Sequence, residues 1–129
     1  MLILQILHYM ISNKLDRLRS YRWNDNSQYT NAIINEYSNN LIEISGRVNI
    51  GFMETSNSTK EIILPFRIST WSCCLLANII WINSHHSVST SVETLVYEDK
   101  LLFYSEDINI YPKGIGAHFY FLLRAYKLN

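Results

Sequence analysis

The sequence predicts an α+β domain: two N-terminal helices packed on an antiparallel β-sheet built from a hairpin, a buried helix and a C-terminal meander. Three observations predict it. Apolar residues recur at three- and four-residue steps from Leu2 onward, then change to alternation near Leu41 and mostly keep it to the end. Turn-forming residues cut the second half into short pieces, although the chain has only two prolines and four glycines. With 129 residues, 48% of them hydrophobic, the chain can bury roughly two-thirds of its unfolded surface. One domain over residues 1–129 is therefore expected, without metal or disulfide staples.

The first helix is expected over residues 2–21, where Ile3, Ile6, Leu7, Met10, Leu15 and Leu18 keep an amphipathic spacing. Asn24, Asp25, Asn26 and Ser27 supply a turn and capping side chains, and Tyr29, Ile33 and Tyr37 mark a second helix that ends near Asn39 and Asn40. Ile42, Ile44, Val48 and Ile50 then alternate with Glu43, Arg47 and Asn49, with a bulge expected at Ser45 and Gly46. Polar residues 54–60 read as a hairpin connection to a strand over residues 62–68, in which Pro65 marks an edge or a bend. Residues 69–83 admit two forms. Trp71, Cys74, Leu75, Ile79 and Ile82 fit a buried helix capped by Ser69 or Thr70, whereas β-branched Ile79 and Ile80 suit a buried strand; the helix is the expectation. Residues 84–91 read as a polar loop. Strands follow at 94–97 and 101–104 about the turn Glu98-Asp99-Lys100, then an extended piece at 108–111, a turn at 112–116 and a long aromatic strand at 118–128. The expected core includes Ile6, Leu7, Met10, Ile44, Leu64, Trp71, Leu75, Phe103 and Phe119. The order of these elements and the chain length resemble the cone-shaped nuclear transport factor 2-like fold. That resemblance is one of element order and carries no site residue.

Composition sets several function classes aside. The chain has 11 basic and 11 acidic side chains and a formal net charge of +0, whereas a surface that tracks nucleic acid throughout carries a basic excess. A mean hydropathy of −0.02 and 13% aromatic residues are too apolar for disorder. Cys73 and Cys74 are adjacent, so a bridge between them closes a strained eight-membered ring; free thiols fit a reducing compartment. The apolar residues 2–11 have no basic segment before them and no cleavage site behind them, and both they and residues 73–82 are too short to span a bilayer. A cytoplasmic setting with no membrane contact is expected, and the sequon Asn57-Ser58-Thr59 reads as coincidence.

No catalytic set is expected, and no metal or cofactor. His85 and His86 point to opposite faces of a strand, or about 100° apart on a helix, so one ion does not readily take both. Cys73 and Cys74 lack the second spaced pair of a structural zinc site, and a Cys–His pairing with His118 needs tertiary placement that the sequence does not provide. Glu43, Glu61 and Glu93 fall on expected strands, where an outward carboxylate is the ordinary outcome. Gly114 and Gly116 fit a turn that no helix follows, so no phosphate loop is present.

Charge layout and aromatic residues point instead to binding. Lys14, Arg17, Arg19 and Arg22 gather around Tyr21 and Trp23 at the end of the expected first helix. The helix dipole favours cations there; nucleic-acid contact through Arg and aromatic stacking is the other reading. Residues 93–107 carry Glu93, Glu98, Asp99, Glu106 and Asp107 against Lys100 alone, beside Tyr97, Tyr104 and Tyr111. A solvated hairpin needs charges of this kind merely to guard its edge, but the same residues have the make-up of an interface centre. The function expected is that of an interaction module of the immunity or inhibitor type. It would bind and block another protein with a basic surface through Tyr97, Glu98, Asp99, Tyr104, Glu106, Asp107 and Tyr111, with the cationic cluster as a second surface. The competing expectation is a pocket lined by Tyr9, Trp71, His118 and Tyr120 that binds or transforms a small molecule. A deep apolar pocket favours the second; a filled core beneath an exposed face favours the first.

Overall fold

Alternation governs the described chain from its first strand. The computed structural model describes residues 17–49, 59–82, 87–104 and 116–129, and its regular structure is nine β-strands and one 3-10 turn. The strands are β1 (Arg17–Asp25), β2 (Thr30–Tyr37), β3 (Leu41–Asn49), β4 (Thr59–Ile63), β5 (Cys74–Ile82), β6 (Ser87–Ser91), β7 (Glu93–Val96), β8 (Lys100–Tyr104) and β9 (Gly116–Tyr126). They form a six-stranded sheet in the order β1-β2-β3-β9-β5-β6 and a three-stranded sheet in the order β4-β8-β7, with every pairing antiparallel.

The two sheets share one core. Ala32 and Ile34 on β2, Ile42, Ile44 and Val48 on β3, and Phe119, Phe121, Leu123 and Ala125 on β9 are buried on the inner face of the large sheet. Register sets Ile44 opposite Leu123 and Val48 opposite Phe119, so inward positions meet inward positions across the strands. From the small sheet come Ile62, Leu101 and Phe103, all fully buried. The Phe103 ring stacks on Phe119 at 5.2 Å between centroids and lies 5.6 Å from Phe121, joining the sheets directly. Leu64 and Ile68, from the segment between β4 and β5, close one side of this core. The side chain of Gln28 ties the β1–β2 turn to β4, because its amide accepts from the Ile63 N–H and donates to the Ile63 carbonyl as a neighbouring strand would.

The structure corrects the α+β expectation and its resemblance to the cone-shaped nuclear transport factor 2-like fold: among the described residues there is no α-helix, and two antiparallel sheets face each other. The expected second helix is strand β2. Tyr29, Ile33 and Tyr37 are four residues apart, a step that returns to the same face in a helix and also in a strand; the even positions Thr30, Ala32 and Ile34 between them are the buried ones. The end of the expected first helix is strand β1, and residues 1–16 lie outside the described residues. The expected buried helix at 69–83 is a turn followed by β5. Ser72, at φ 57°, breaks any helix there, and Trp71 is 83% exposed, not core. Residues 87–91 of the expected polar loop form β6. The expected hairpin at 54–60 does not pair its flanking strands, because β3 joins β9 while β4 joins β8.

Other expectations hold. The β7–β8 hairpin and the long terminal strand are present, a turn over residues 26–29 overlaps the one expected at 24–27, and Ile44, Leu64, Phe103 and Phe119 are buried, with Leu75 packed against the core. No bulge interrupts β3, whose register runs unbroken through Ser45 and Gly46. Gly46 occupies an inward position that no side chain can fill: an added Cβ would lie 2.6 Å from the Ala32 Cα. Ile6, Leu7 and Met10 lie outside the described residues.

Candidate binding face

The outer face of the six-stranded sheet lines up side chains from five strands. In register across β1, β2, β3, β9 and β5 runs the row Arg22, Ile33, Ser45, Leu122 and Leu76, all exposed. Beside it runs the row Asn24, Asn31, Arg47, Tyr120 and Asn78, and on its other side Ser20, Asn35, Glu43, Arg124 and Cys74. Ile33 at 45%, Leu122 at 42% and Leu76 at 62% exposure form an apolar stripe in water that the β-propensity of the strands alone does not require. An open groove of about 680 Å³ follows the first two rows and is lined by Arg22, Asn31, Ile33, Arg47, Leu76, Asn78, Tyr120 and Leu122.

The electrostatics of this face are uneven. Glu43 meets Arg124 at 3.6 Å and accepts a hydrogen bond from the Tyr37 hydroxyl at 3.4 Å. Arg22 and Arg47 make no ion pair among the described residues. At the end of the groove the His118 ring meets Tyr120 edge-on at 5.9 Å. Burial lowers the His118 pKa below the ordinary imidazole value, and the charge of Arg47 adds to the effect. Its buried Nδ1 has no hydrogen-bond partner among the described residues.

The residues expected to bind are distributed otherwise. Tyr97, Glu98 and Asp99 do form the tip of the β7–β8 hairpin, and Tyr104 ends β8; Glu106, Asp107 and Tyr111 lie outside the described residues. The tip is tied down: the carbonyls of Glu98 and Asp99 accept from the Ile68 and Leu64 N–H groups. Its charge is offset as well, since Arg67 donates to the Glu98 carboxylate and Lys100 lies over the Tyr97 ring at 5.2 Å and near Glu61 at 3.4 Å. Of the cationic cluster, Lys14 lies outside the described residues and the strand splits the rest. Arg22 faces outward into the groove, whereas Arg19 faces the other way, pairs with Glu36 at 2.6 Å and covers the Tyr21 ring at 4.6 Å. Arg17 is exposed where β1 begins. These cations stand on a strand, so a helix dipole does not account for them. Arg47, Ile33, Leu122 and Leu76 were missed because the signal that joins them is sheet register, which no single segment carries.

Among the described residues no catalytic set converges. Cys74 stands opposite Arg124 and His118 opposite Ile80, which separates the thiol and the imidazole by roughly 20 Å along β9. Glu43 lies on the outer face of one sheet, while Glu61 and Glu93 belong to the other sheet. Of the expected pocket residues, Tyr120 lines the groove with His118 beside it, Trp71 is exposed at a turn, and Tyr9 lies outside the described residues, as do His85 and His86. Among the described residues no group of three or more His, Cys, Asp or Glu is placed to hold a metal ion, and no helix is long and apolar enough to cross a membrane. Comparison with protein-family models, with curated proteins and with solved structures finds no match.

Proposed function

We propose that this chain is a binding module that engages another protein through the outer face of its six-stranded sheet. The observation that carries the reading is the exposed row Ile33, Ser45, Leu122 and Leu76, which is held in register by four strands above a core already filled by Phe103, Phe119 and Phe121. An apolar stripe with a polar surround on a rigid sheet loses water when a complementary surface covers it, and strand pairing fixes its shape beforehand. The immunity- or inhibitor-type role, in which binding blocks the partner, belongs to this same proposal, and so does a cytoplasmic setting, which suits the free thiols of Cys73 and Cys74. The hairpin tip, with exposed Tyr97 and Asp99, is the second candidate surface.

Capture of partners from a lysate on the immobilised chain, compared with the L76E/L122E double variant, tests the face. At least one protein held by the unaltered chain is expected to be lost from the variant, while circular dichroism stays the same. An unchanged set of captured proteins with the fold intact would move the interface to the hairpin, where Glu98→Lys and Asp99→Lys are the corresponding variants.

A further inference from the structure

We infer that the partner segment seated on this face is an extended peptide stretch that turns acidic and apolar side chains to one side, with an apolar residue at i+2 between acidic residues at i and i+4; the inference rests on the protein-binding reading and adds the chemistry of the partner. Arg22 stands opposite Ile33, and Arg47 stands opposite Asn31, two positions away on the same strand β2. The two guanidinium groups therefore flank one stretch of β2 from either side and line the same groove. From strand spacing and rise their Cα atoms are about 12 Å apart, which matches carboxylates four residues apart in an extended chain.

Neither charge is offset within the described residues, whereas Arg124 on the same face has Glu43. A wholly apolar partner would cover Ile33, Leu122 and Leu76 but strand both cations out of water. Carboxylates instead accept paired N–H bonds from each guanidinium as the stripe is covered. Asn31, Asn78 and Tyr120 then offer neutral donors and acceptors beside the stripe. A nucleic acid fits less well. Two cations unpaired among the described residues supply few phosphate contacts, and Tyr120 is the one exposed ring of the described groove on which a base can stack.

The test uses the full chain and synthetic peptides repeating Glu-Ser-Leu-Ser, which set Leu and Glu on one side of an extended chain with Glu four residues apart, compared with the same peptides carrying Gln in place of Glu and with oligothymidylate, by fluorescence anisotropy. The Leu/Glu peptide is expected to bind roughly tenfold more tightly than the Leu/Gln peptide at low salt, with the difference shrinking as salt rises. R22Q/R47Q is expected to bring the affinity for the Leu/Glu peptide down to that for the Leu/Gln peptide; both side chains are exposed, and circular dichroism checks that the fold persists. Equal affinity for the two peptides, lost in L76Q/L122Q, overturns the acidic partner and keeps the protein-binding face. No measurable binding of either peptide, or binding that L76Q/L122Q leaves intact, overturns both. Stronger binding of oligothymidylate than of the Leu/Glu peptide overturns the inference in favour of a nucleic acid.

Discussion

An added methyl group at Gly46 has no room, since a Cβ there would meet the Cα and Cβ of Ala32 on β2. Gly46→Ala is expected to destabilise the chain by about 1–3 kcal/mol in urea unfolding, because the strands must separate to admit it. Phe103 shows the opposite case. Fully buried between Phe119 and Phe121, it leaves a cavity that the rings around it cannot fill, so Phe103→Ala is expected to cost about 3–5 kcal/mol. Trp71→Ala, at an exposed turn, is expected to change stability by less than about 0.5 kcal/mol. Glu36 brings a pH dependence. The Arg19 guanidinium, with further help from Tyr21 and Lys127, lowers its carboxyl from 4.5 to about 2. A carboxyl more acidic in the folded chain favours folding where it is ionised in both states, so its contribution is complete above about pH 4.5 and is lost as pH falls toward about 2. Urea midpoints measured across that window are expected to fall less in Glu36→Gln than in the unaltered chain.

At the scale of elements, the small sheet depends on ties that reach outside its own strands. β4 is an edge strand whose Ile63 finds its outer partner in the Gln28 amide, which in turn is held by Asp25 at 2.7 Å. Gln28→Ala leaves the Ile63 N–H and carbonyl without that partner and is expected to cost about 1–2 kcal/mol. Amide hydrogen exchange at Ile63 is expected to quicken more than at Phe103, which sits at the centre of the same sheet; equal protection at both positions would show that the Gln28 tie is not what holds the edge. Element identity was legible where a segment alternates cleanly and a turn is marked, as in β7, β8 and β9. It was not legible in β2, where the four-residue step of Tyr29, Ile33 and Tyr37 satisfies both periods, nor in β5, where inward Leu75 and Ala77 are interleaved with exposed Leu76.

The molecule as a whole is closed by contacts far apart in sequence. β3 pairs with β9 and β9 with β5, so the large sheet is complete only when the last described strand is in place. Loop closure of that length is entropically costly before it is rewarded, and refolding after dilution from urea is expected in milliseconds to seconds. A microsecond phase that accounts for the full amplitude would contradict this closure. The binding face, by contrast, lies outside the core, so L76Q/L122Q is expected to leave the urea midpoint nearly unchanged while altering binding.

By itself the sequence determined the alternation of the strand that begins at Leu41, the β7–β8 turn, the aromatic terminal strand and the core positions Ile44, Leu64, Phe103 and Phe119, because these follow from local periodicity and turn chemistry. Arg22 was visible as one of a cationic cluster and Tyr120 as a possible site residue, yet nothing local joined them. Only the tertiary structure decided that Arg19 and Arg22 part company across a strand, that Arg67 offsets Glu98, and that Ile33, Leu122 and Leu76 form one stripe. The reason is that strand order and register are set by hydrogen bonds and packing between distant segments. A residue's neighbours on a sheet face come from other strands, and its own sequence neighbours point away.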